Sequence, residues 1–413
     1  MGWPNFMKRS ETAKVLKLIY DQQLVSRTEL AKQAGAAPSH MTSMVRRLLK
    51  EDLVIEAGFA PSGGGRRKVL LQVNPNLTHL VGIDIGTANS RIVMADFLGN
   101  VQTAKTFPTE IARGQDFVLS KVHEEVRCVL EQNPRIKGIG VASSGVIDHA
   151  TGTVLFWPKV SGWKNVPLKE ILEREYGLPV AVEDSTRAMA IAHRRFGGEK
   201  RLDNFVFVSV GMGIGSAIFI DGRLYVGHKG LAGELGHTTI DETGDPCSCG
   251  NRGCLEVFAS GSAIINRVKV GLQQKATSSL VDVVKDDDSQ LSVENIVAAA
   301  HSQDRLSERV LSEAGTHLGT ALASIVNLLD PQKIILGGAV PRAAQGLFLD
   351  PMLRALRARA LQQSLNSLDI IVSPLGTEAA AVGAIIIIAS QILSNYGELS
   401  SLASRQPVKS KSS

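Results

Sequence analysis

Gly233-Glu-Leu-Gly-His237 and, shortly after it, Cys247-Ser-Cys249-Gly-Asn-Arg-Gly-Cys254-Leu-Glu256 are the most informative stretch of this 413-residue chain. One imidazole and three thiolates make a tetrahedral donor set suited to zinc. Four protein ligands leave no open position, so a zinc held by His237, Cys247, Cys249 and Cys254 is expected to be structural, one per chain. Gly250 and Gly253 permit the tight loop that this requires. A metal on one nitrogen of His237 would aim the other outward. Glu234 and Glu256 flank that imidazole in sequence, and carboxylates beside an oriented imidazole can hold several vicinal hydroxyls, each charged hydrogen bond contributing ~1.5–3 kcal/mol. The fourth cysteine, Cys128, stands apart and is expected to be buried.

Working outward, hydrophobic runs recur in one order on both sides of this loop. Strands are expected near Leu80 to Asp84, Arg91 to Phe97 and Val101 to Thr106, followed by a helix from Asp116 to Gln132, a strand at Ile136 to Ala142, a helix, and a strand at Pro179 to Glu183. The order returns with strands at Phe205 to Val210, Ser216 to Ile220 and Arg223 to Val226, then helices. Strands at Lys333 to Leu336 and Asp369 to Val372 flank a helix from Met352 to Gln362, and an apolar helix closes the chain. A doubled unit of this kind implies two α/β lobes with a cleft between them. Glycine turns at Asp84-Ile-Gly86-Thr87 and Gly211-Met-Gly213-Ile-Gly215 fall where the first two strands of each half meet, with Gly337-Gly338 after a later strand. Exposed amides at such turns can cradle phosphate.

Before Asn74-Pro75-Asn76 the pattern differs. Val15, Leu16, Leu18 and Ile19 recur at helical spacing from Glu11, Ser26 offers a cap to a second helix that Gly35 stops, and a third helix begins at Pro38 and buries Met41, Val45, Leu48 and Leu49. Strands at Leu53 to Glu56 and Lys68 to Val73 enclose the basic wing Pro61-Ser-Gly-Gly-Gly-Arg-Arg67. The unit is a winged helix-turn-helix. Residues 1–78 hold 12 Lys and Arg against 6 Asp and Glu, whereas the remainder is near neutral, so the positive charge of the chain, net +5, sits on this module. That distribution points to double-stranded DNA. Ser39, His40, Thr42 and Ser43 are expected to reach base edges, and Arg46, Arg47, Arg66 and Arg67 to hold phosphates.

Composition excludes other classes. With 44% hydrophobic and 21% charged residues the chain builds substantial cores and is not disordered. Its longest apolar run, Ala379 to Ala389, falls short of the ~20 residues of a membrane span. A cytoplasmic protein with no membrane partner is expected.

The body, Leu80 to Leu393, resembles the ROK family of repressors, open reading frames and sugar kinases, and the winged helix resembles that of its transcriptional regulators. The resemblance rests on the Glu-x-Gly-His and Cys-x-Cys-Gly-x-x-Gly-Cys-Leu-Glu signature. It implies a duplicated, actin-like (ribonuclease H-like) sugar-kinase body, zinc on the four residues named above, and a sugar met by Glu234, His237 and Glu256, with Asp184 beside them. Trp163, in Ser161-Gly-Trp-Lys-Asn165, matches a family segment near the cleft. The implied units are a winged helix over 1–78, a first lobe over 79–189 plus 378–404, a second over 190–377, and a disordered tail from 405 to 413.

Departures from the family's kinases bear on activity. Where they carry an Asn-Asp pair whose Asp is the general base, this chain reads Asp184-Ser185. A serine cannot take that proton near neutral pH, and losing a general base removes ~10²–10⁴ in rate. Gly86-Thr87-Ala88 replaces Gly-Gly-Thr, and Met212 replaces a threonine. No catalytic residues and no ATP are therefore expected. The expected protein is a DNA-binding regulator, a repressor of carbohydrate-metabolism genes with a sugar effector, acting as a homodimer or dimer of dimers. The alternatives are a bifunctional sugar kinase using Asp184 as a displaced base, and a regulator controlled by a protein partner. Communication between cleft and DNA is expected at Asn74-Pro75-Asn76 or at a dimer interface.

Overall fold

A computed structural model describes residues 3–61, 67–199, 202–284 and 290–395. The N-terminal module contains α1 (Trp3–Gln22), β1 (Val25–Ser26), α2 (Arg27–Ala34), α3 (Pro38–Lys50), β2 (Val54–Phe59) and β3 (Val69–Val73), with the strands in the antiparallel order β1-β3-β2. The helix α1 starts well before Glu11. A capping box sets the start of α2: the Ser26 hydroxyl oxygen accepts the Glu29 N–H, and the Glu29 carboxylate accepts the Ser26 N–H. Such a cap contributes about 1 kcal/mol, and the same bonds lower the Glu29 pKa. Gly35 closes α2 in the left-handed conformation. Met41, Met44, Val45 and Leu48 form the buried stripe of α3, while Leu49 is only half-buried.

The first lobe follows as β4 (His79–Ile85), β5 (Asn89–Ala95), β6 (Val101–Pro108), α4 (Gln115–Gln132), β7 (Ile136–Ser143), a small sheet of β8 (Val146–Asp148), β9 (Thr153–Phe156) and β10 (Lys164–Val166), then α5 (Leu168–Tyr176), β11 (Val180–Asp184) and α6 (Ser185–Phe196). The second contains β12 (Phe205–Val210), β13 (Ile214–Ile220), β14 (Arg223–Tyr225), α7 (Glu256–Ala259), α8 (Gly261–Gln273), α9 (Val281–Val284), α10 (Val293–His301), α11 (Arg305–Leu329), β15 (Lys333–Gly337), α12 (Ala339–Arg357), α13 (Gln362–Leu365) and β16 (Asp369–Val372). The helix α14 (Ala379–Ser394) ends the described chain and packs on the first sheet.

The two large sheets have one topology. Their orders are β11-β7-β4-β5-β6 and β14-β13-β12-β15-β16, in each an antiparallel meander extended by two parallel strands from its first strand. The central strands β4 and β12 are buried along nearly their whole length, as strands covered on both faces must be. The duplication read from the hydrophobic runs is thus a duplication of fold.

Three local expectations are corrected. Cys128 is exposed, because α4 turns Val118, Val122 and Val126 to the sheet and residue 128 to the opposite side. The helix expected over Met352 to Gln362 begins at Ala339 and ends at Arg357, is kinked at Gln345, and carries Pro351 in its interior. Trp163 is not at the cleft: it lies in the core under the small sheet, edge-on to Trp157 with ring centroids 5.1 Å apart. Asn74-Pro75-Asn76, where the winged helix joins the first lobe, is tied on both sides. The Asn74 side chain donates to the Asp52 carbonyl and accepts the Asn76 N–H, Arg135 donates to the Asn76 carbonyl, and the Phe97 N–H donates to that of Pro75.

One hydrophobic cluster runs through both the winged helix and the body, joining Leu16, Ile19 and Tyr20 of α1 to Phe97 and to Ile385, Ile388 and Ile392 of α14. Burial raises the Tyr20 pKa to about 12.

Candidate functional site

The loop expected to bind metal brings its four donors together. His237 Nδ1 lies 3.6 Å from Cys247 Sγ, Cys249 Sγ lies 3.8 Å from Cys254 Sγ, and all four donor atoms fall within 4.8 Å of one another. A tetrahedral zinc with Zn–S bonds of ~2.3 Å would set its sulfurs ~3.8 Å apart, so the residues fit the group. Gly253 makes the loop possible: its φ is +65°, and a Cβ there would lie 1.6 Å from the Asp241 carbonyl oxygen. Burial and the two neighbouring thiols push Cys254 up to about 12, a repulsion that a divalent cation would relieve.

His237 also lines the cleft between the lobes, a cavity of about 830 Å³. Glu234, Glu256 and Asp184 line it too, so the structure brings together all four residues that the sequence assigns to sugar. Glu256 opens α7 directly after the cysteine loop and accepts the Ile214 N–H at 3.0 Å. Glu234 has a raised pKa because surrounding protein desolvates it, with His237 and Arg187 opposing.

Both glycine turns face the same cavity, and the chain's own groups occupy them. Lys159 reaches over from the first lobe, its Nζ 3.4 Å from Glu256 Oε1 and donating to the Met212 carbonyl at 3.1 Å. The Ser262 hydroxyl donates to the same carbonyl, and the Gly211 N–H to that of Gly213. At the other turn Ser185, in the position that the resemblance gives to a catalytic carboxylate, donates its hydroxyl to Asp84 Oδ1 at 3.2 Å. Arg91 lies 3.3 Å from the other oxygen of Asp84. Burial nevertheless pushes Asp84 up to about 6.

Asp184 is the N-cap of α6, its Oδ1 accepting the N–H groups of Thr186 and Arg187. Burial, with Glu183 and Glu234 adding to it, pushes Asp184 up to about 7. Arg187 is buried and donates to the carbonyls of Gly230 and Ala232 at 2.7 and 2.8 Å, with Glu183 at 3.4 Å. It therefore fixes the segment that delivers Glu234. Lys159, Arg187 and Arg91 were not singled out by the sequence, since nothing local marks them and their partners are distant in the chain.

On α3, Ser39, Thr42, Ser43 and Arg46 are exposed, and Lys50, overlooked in the sequence, joins Ser39, Ser43 and Arg46 opposite the buried stripe. His40 and Arg47 lie to one side and are engaged with α1: His40 Nε2 is 2.8 Å from Glu11, and Arg47 donates to the Thr12 hydroxyl. Arg67 is exposed beside β3, whereas Arg66 lies outside the described residues, as does the tail from 405. No described helix is long and apolar enough to cross a membrane.

Two duplicated lobes around a shared cleft, with a winged helix docked on the first, define the class: a sugar-kinase-like body carrying a nucleic-acid-binding type of module. The chain belongs to the ROK family, whose model matches residues 80–391, and a MarR family model matches residues 10–55. It is 32% identical over 398 residues to a xylose repressor of Caldicellulosiruptor bescii, covering 95% of this chain and 99% of that protein. A crystal structure of a ROK family transcriptional regulator, homologous to the E. coli MLC protein, superposes with a TM-score of 0.77 at 30% identity, covering 96% of this chain and 99% of the other. A ROK family glucokinase from Streptomyces griseus, in complex with glucose and AMPPNP, superposes at 0.67 with 28% identity, covering 75% of this chain and 99% of the other.

Proposed function

We propose that this protein is a sugar-responsive transcriptional repressor of carbohydrate-metabolism genes: the winged helix binds operator DNA and the interlobe cleft binds the sugar that releases it. The observation that carries the reading is the state of the phosphate turns. A Ser185 hydroxyl spent on Asp84, and Gly211 and Ile214 N–H groups already donated to the Gly213 carbonyl and to Glu256, suit a sensor better than a phosphotransferase. Ser39, Thr42, Ser43 and Arg46, with Lys50, face the groove in this reading. His40 and Arg47 couple the recognition helix to α1, and Arg66 and Arg67 reach the flanking backbone. Glu234, His237, Glu256 and Asp184 hold the sugar hydroxyls. Zinc on His237, Cys247, Cys249 and Cys254 fixes the loop that carries two of these, and supplies rigidity, not chemistry. The units are 1–78, 79–189 plus 378–404, and 190–377, with α6 spanning the boundary between the two lobes, and a homodimer presents two recognition helices to a repeated half-site in the cytoplasm.

The first sugars to test are D-xylose and D-glucose, from the names of the xylose repressor and of the glucose-bound glucokinase. A thermal-shift titration with both, followed by binding to a duplex selected from a random pool, tests the reading; it fails if neither sugar stabilises the protein. One observation favours the kinase alternative. An Asp184 pKa near 7 suits a general base. ATP-dependent phosphorylation of either sugar that Asp184→Asn abolishes would establish it.

A further inference from the structure

The winged helix touches the end of the helix that begins in the cleft. The last turn of α6 carries Arg195, whose Nη1 donates to the Tyr20 carbonyl at 3.1 Å and whose guanidinium lies 4.2 Å from the Tyr20 ring centroid. Gln23 Nε2 donates back to the Arg195 carbonyl at 3.1 Å. Tyr20 is near the C-terminus of α1, where carbonyls lack helical partners and a cation is favoured. The first turn of α6 holds the Asp184 cap and, through Arg187, the segment leading to Glu234. We propose that α6 is the element through which the cleft acts on the DNA-binding module, and that Arg195 is the positioning residue that passes its displacement to α1. This rests on the sugar-responsive reading above.

Four features support the assignment. First, α6 follows the second lobe: Met189 meets Ser209, the Arg194 guanidinium lies over the Phe219 ring, and Thr186 lies against Gly215 of β13. Second, its opposite face lies on α14 through small residues. A Cβ on Gly383 would come within 1.8 Å of the Ala188 carbonyl oxygen, so the backbones nearly touch and can slide past one another without side chains to unlock, the geometry of shear. A helix of 12 residues, ~18 Å long, carries a shift at one end to the other. Third, the Tyr20 hydroxyl and Arg195 Nε are buried with no hydrogen-bond partner among the described residues. Unpaired groups of this kind cost ~1–3 kcal/mol each, which brings a second arrangement of the contact within reach. Fourth, α1 passes directly to the recognition helix through the Glu11 contact with His40 and the Thr12 contact with Arg47. The stapled turn at Asn74-Pro75-Asn76 offers no comparable freedom.

The test measures three quantities in the full chain: affinity for whichever of D-xylose or D-glucose stabilises the unmodified protein, affinity for a duplex selected from a random pool without sugar, and the fold-change in duplex affinity at saturating sugar. In the unmodified protein that fold-change is expected to be about 5–150. Arg195→Met, and Arg195→Lys as a milder variant that keeps the charge, should lower it below about 2 while leaving both separate affinities within about 3-fold. Lys17→Met, which removes the 2.8 Å contact to Ser390 on α14 and the exposed pair with Asp21 on α1 itself, should keep the response. A full response in both Arg195 variants overturns the proposal, as does its loss in Lys17→Met with Arg195 intact. Failure of both sugars to bind the unmodified protein overturns the sensor reading itself, and the proposal with it.

Discussion

Replacing Arg187 by Met should cost effector binding through the segment it holds. Its two donated bonds, at 2.7 and 2.8 Å to the carbonyls of Gly230 and Ala232, are buried, and its third contact is Glu183. Charged hydrogen bonds contribute ~1.5–3 kcal/mol each, and breaking a buried pair on one side costs ~3–5 kcal/mol in all. Glu183 recovers part of this through the Asp184 N–H that it already accepts at 2.9 Å. Most of the loss falls on residues 227–234, the segment that delivers Glu234. If that segment frees itself, the Glu234 bond to sugar is lost, worth ~1.5–3 kcal/mol, or about 10- to 150-fold in affinity. Titration calorimetry with the sugar identified by thermal shift, on Arg187→Met, Glu234→Ala and the double variant, reads this directly. The reasoning requires the double variant to bind no worse than Glu234→Ala, because both changes remove one contact. Additive losses would refute it, as would wild-type affinity in Arg187→Met.

Elemental analysis of protein purified without chelator should find one zinc per chain, and Cys249→Ser should lose it together with the sugar response. Arg46→Ala and Lys50→Ala should each flatten the salt dependence of duplex binding by about one counterion, whereas Arg47→Ala, which also loses its α1 contact, should change the thermal midpoint as well. Sugar affinity should rise with pH: Asp184, pushed up to about 7, accepts a hydroxyl more strongly when ionised, so binding is weaker at pH 6, gains up to about tenfold by pH 8, and loses most of that gain in Asp184→Asn, whose amide still caps α6. A pH-independent affinity in the unmodified protein would remove Asp184 from the site.

The parts of this molecule that could be read from its sequence are those whose cause is local. His237 and the three cysteines lie within 18 consecutive residues, and Gly253 occupies a backbone conformation that favours glycine, so the cluster was visible as spacing. The duplicated strand order was visible because buried strands such as Phe205–Val210 are unbroken apolar runs. Arg187 and Arg195 could not be found this way. On the sequence Ser185–Phe196 they read as the basic face of a surface helix, and their partners lie 43 and 175 residues distant. Lys159 was hidden for a similar reason, and Trp163 misled because an aromatic in a loop serves a core as readily as a cleft. The start of α12 could not be placed at Met352 because Pro351, which suits the first turn of a helix, here lies inside one, six residues past the kink at Gln345.

The shared core between α1 and α14 has a consequence for anyone who would recombine such proteins. A DNA-binding arm hung on a flexible tether can be exchanged at the tether. Here Leu16, Ile19 and Tyr20 are buried against Phe97 and the isoleucines of α14. A chimera cut after residue 78 would press a foreign α1 onto a surface shaped for this one, and a free arm would expose that apolar strip to water and aggregate. The exchangeable unit is the arm together with the outward face of α14 and the end of α6, three separate stretches of chain. Retargeting this body to a new operator is therefore easier by rewriting Ser39, Thr42, Ser43 and Arg46 in place than by grafting another winged helix.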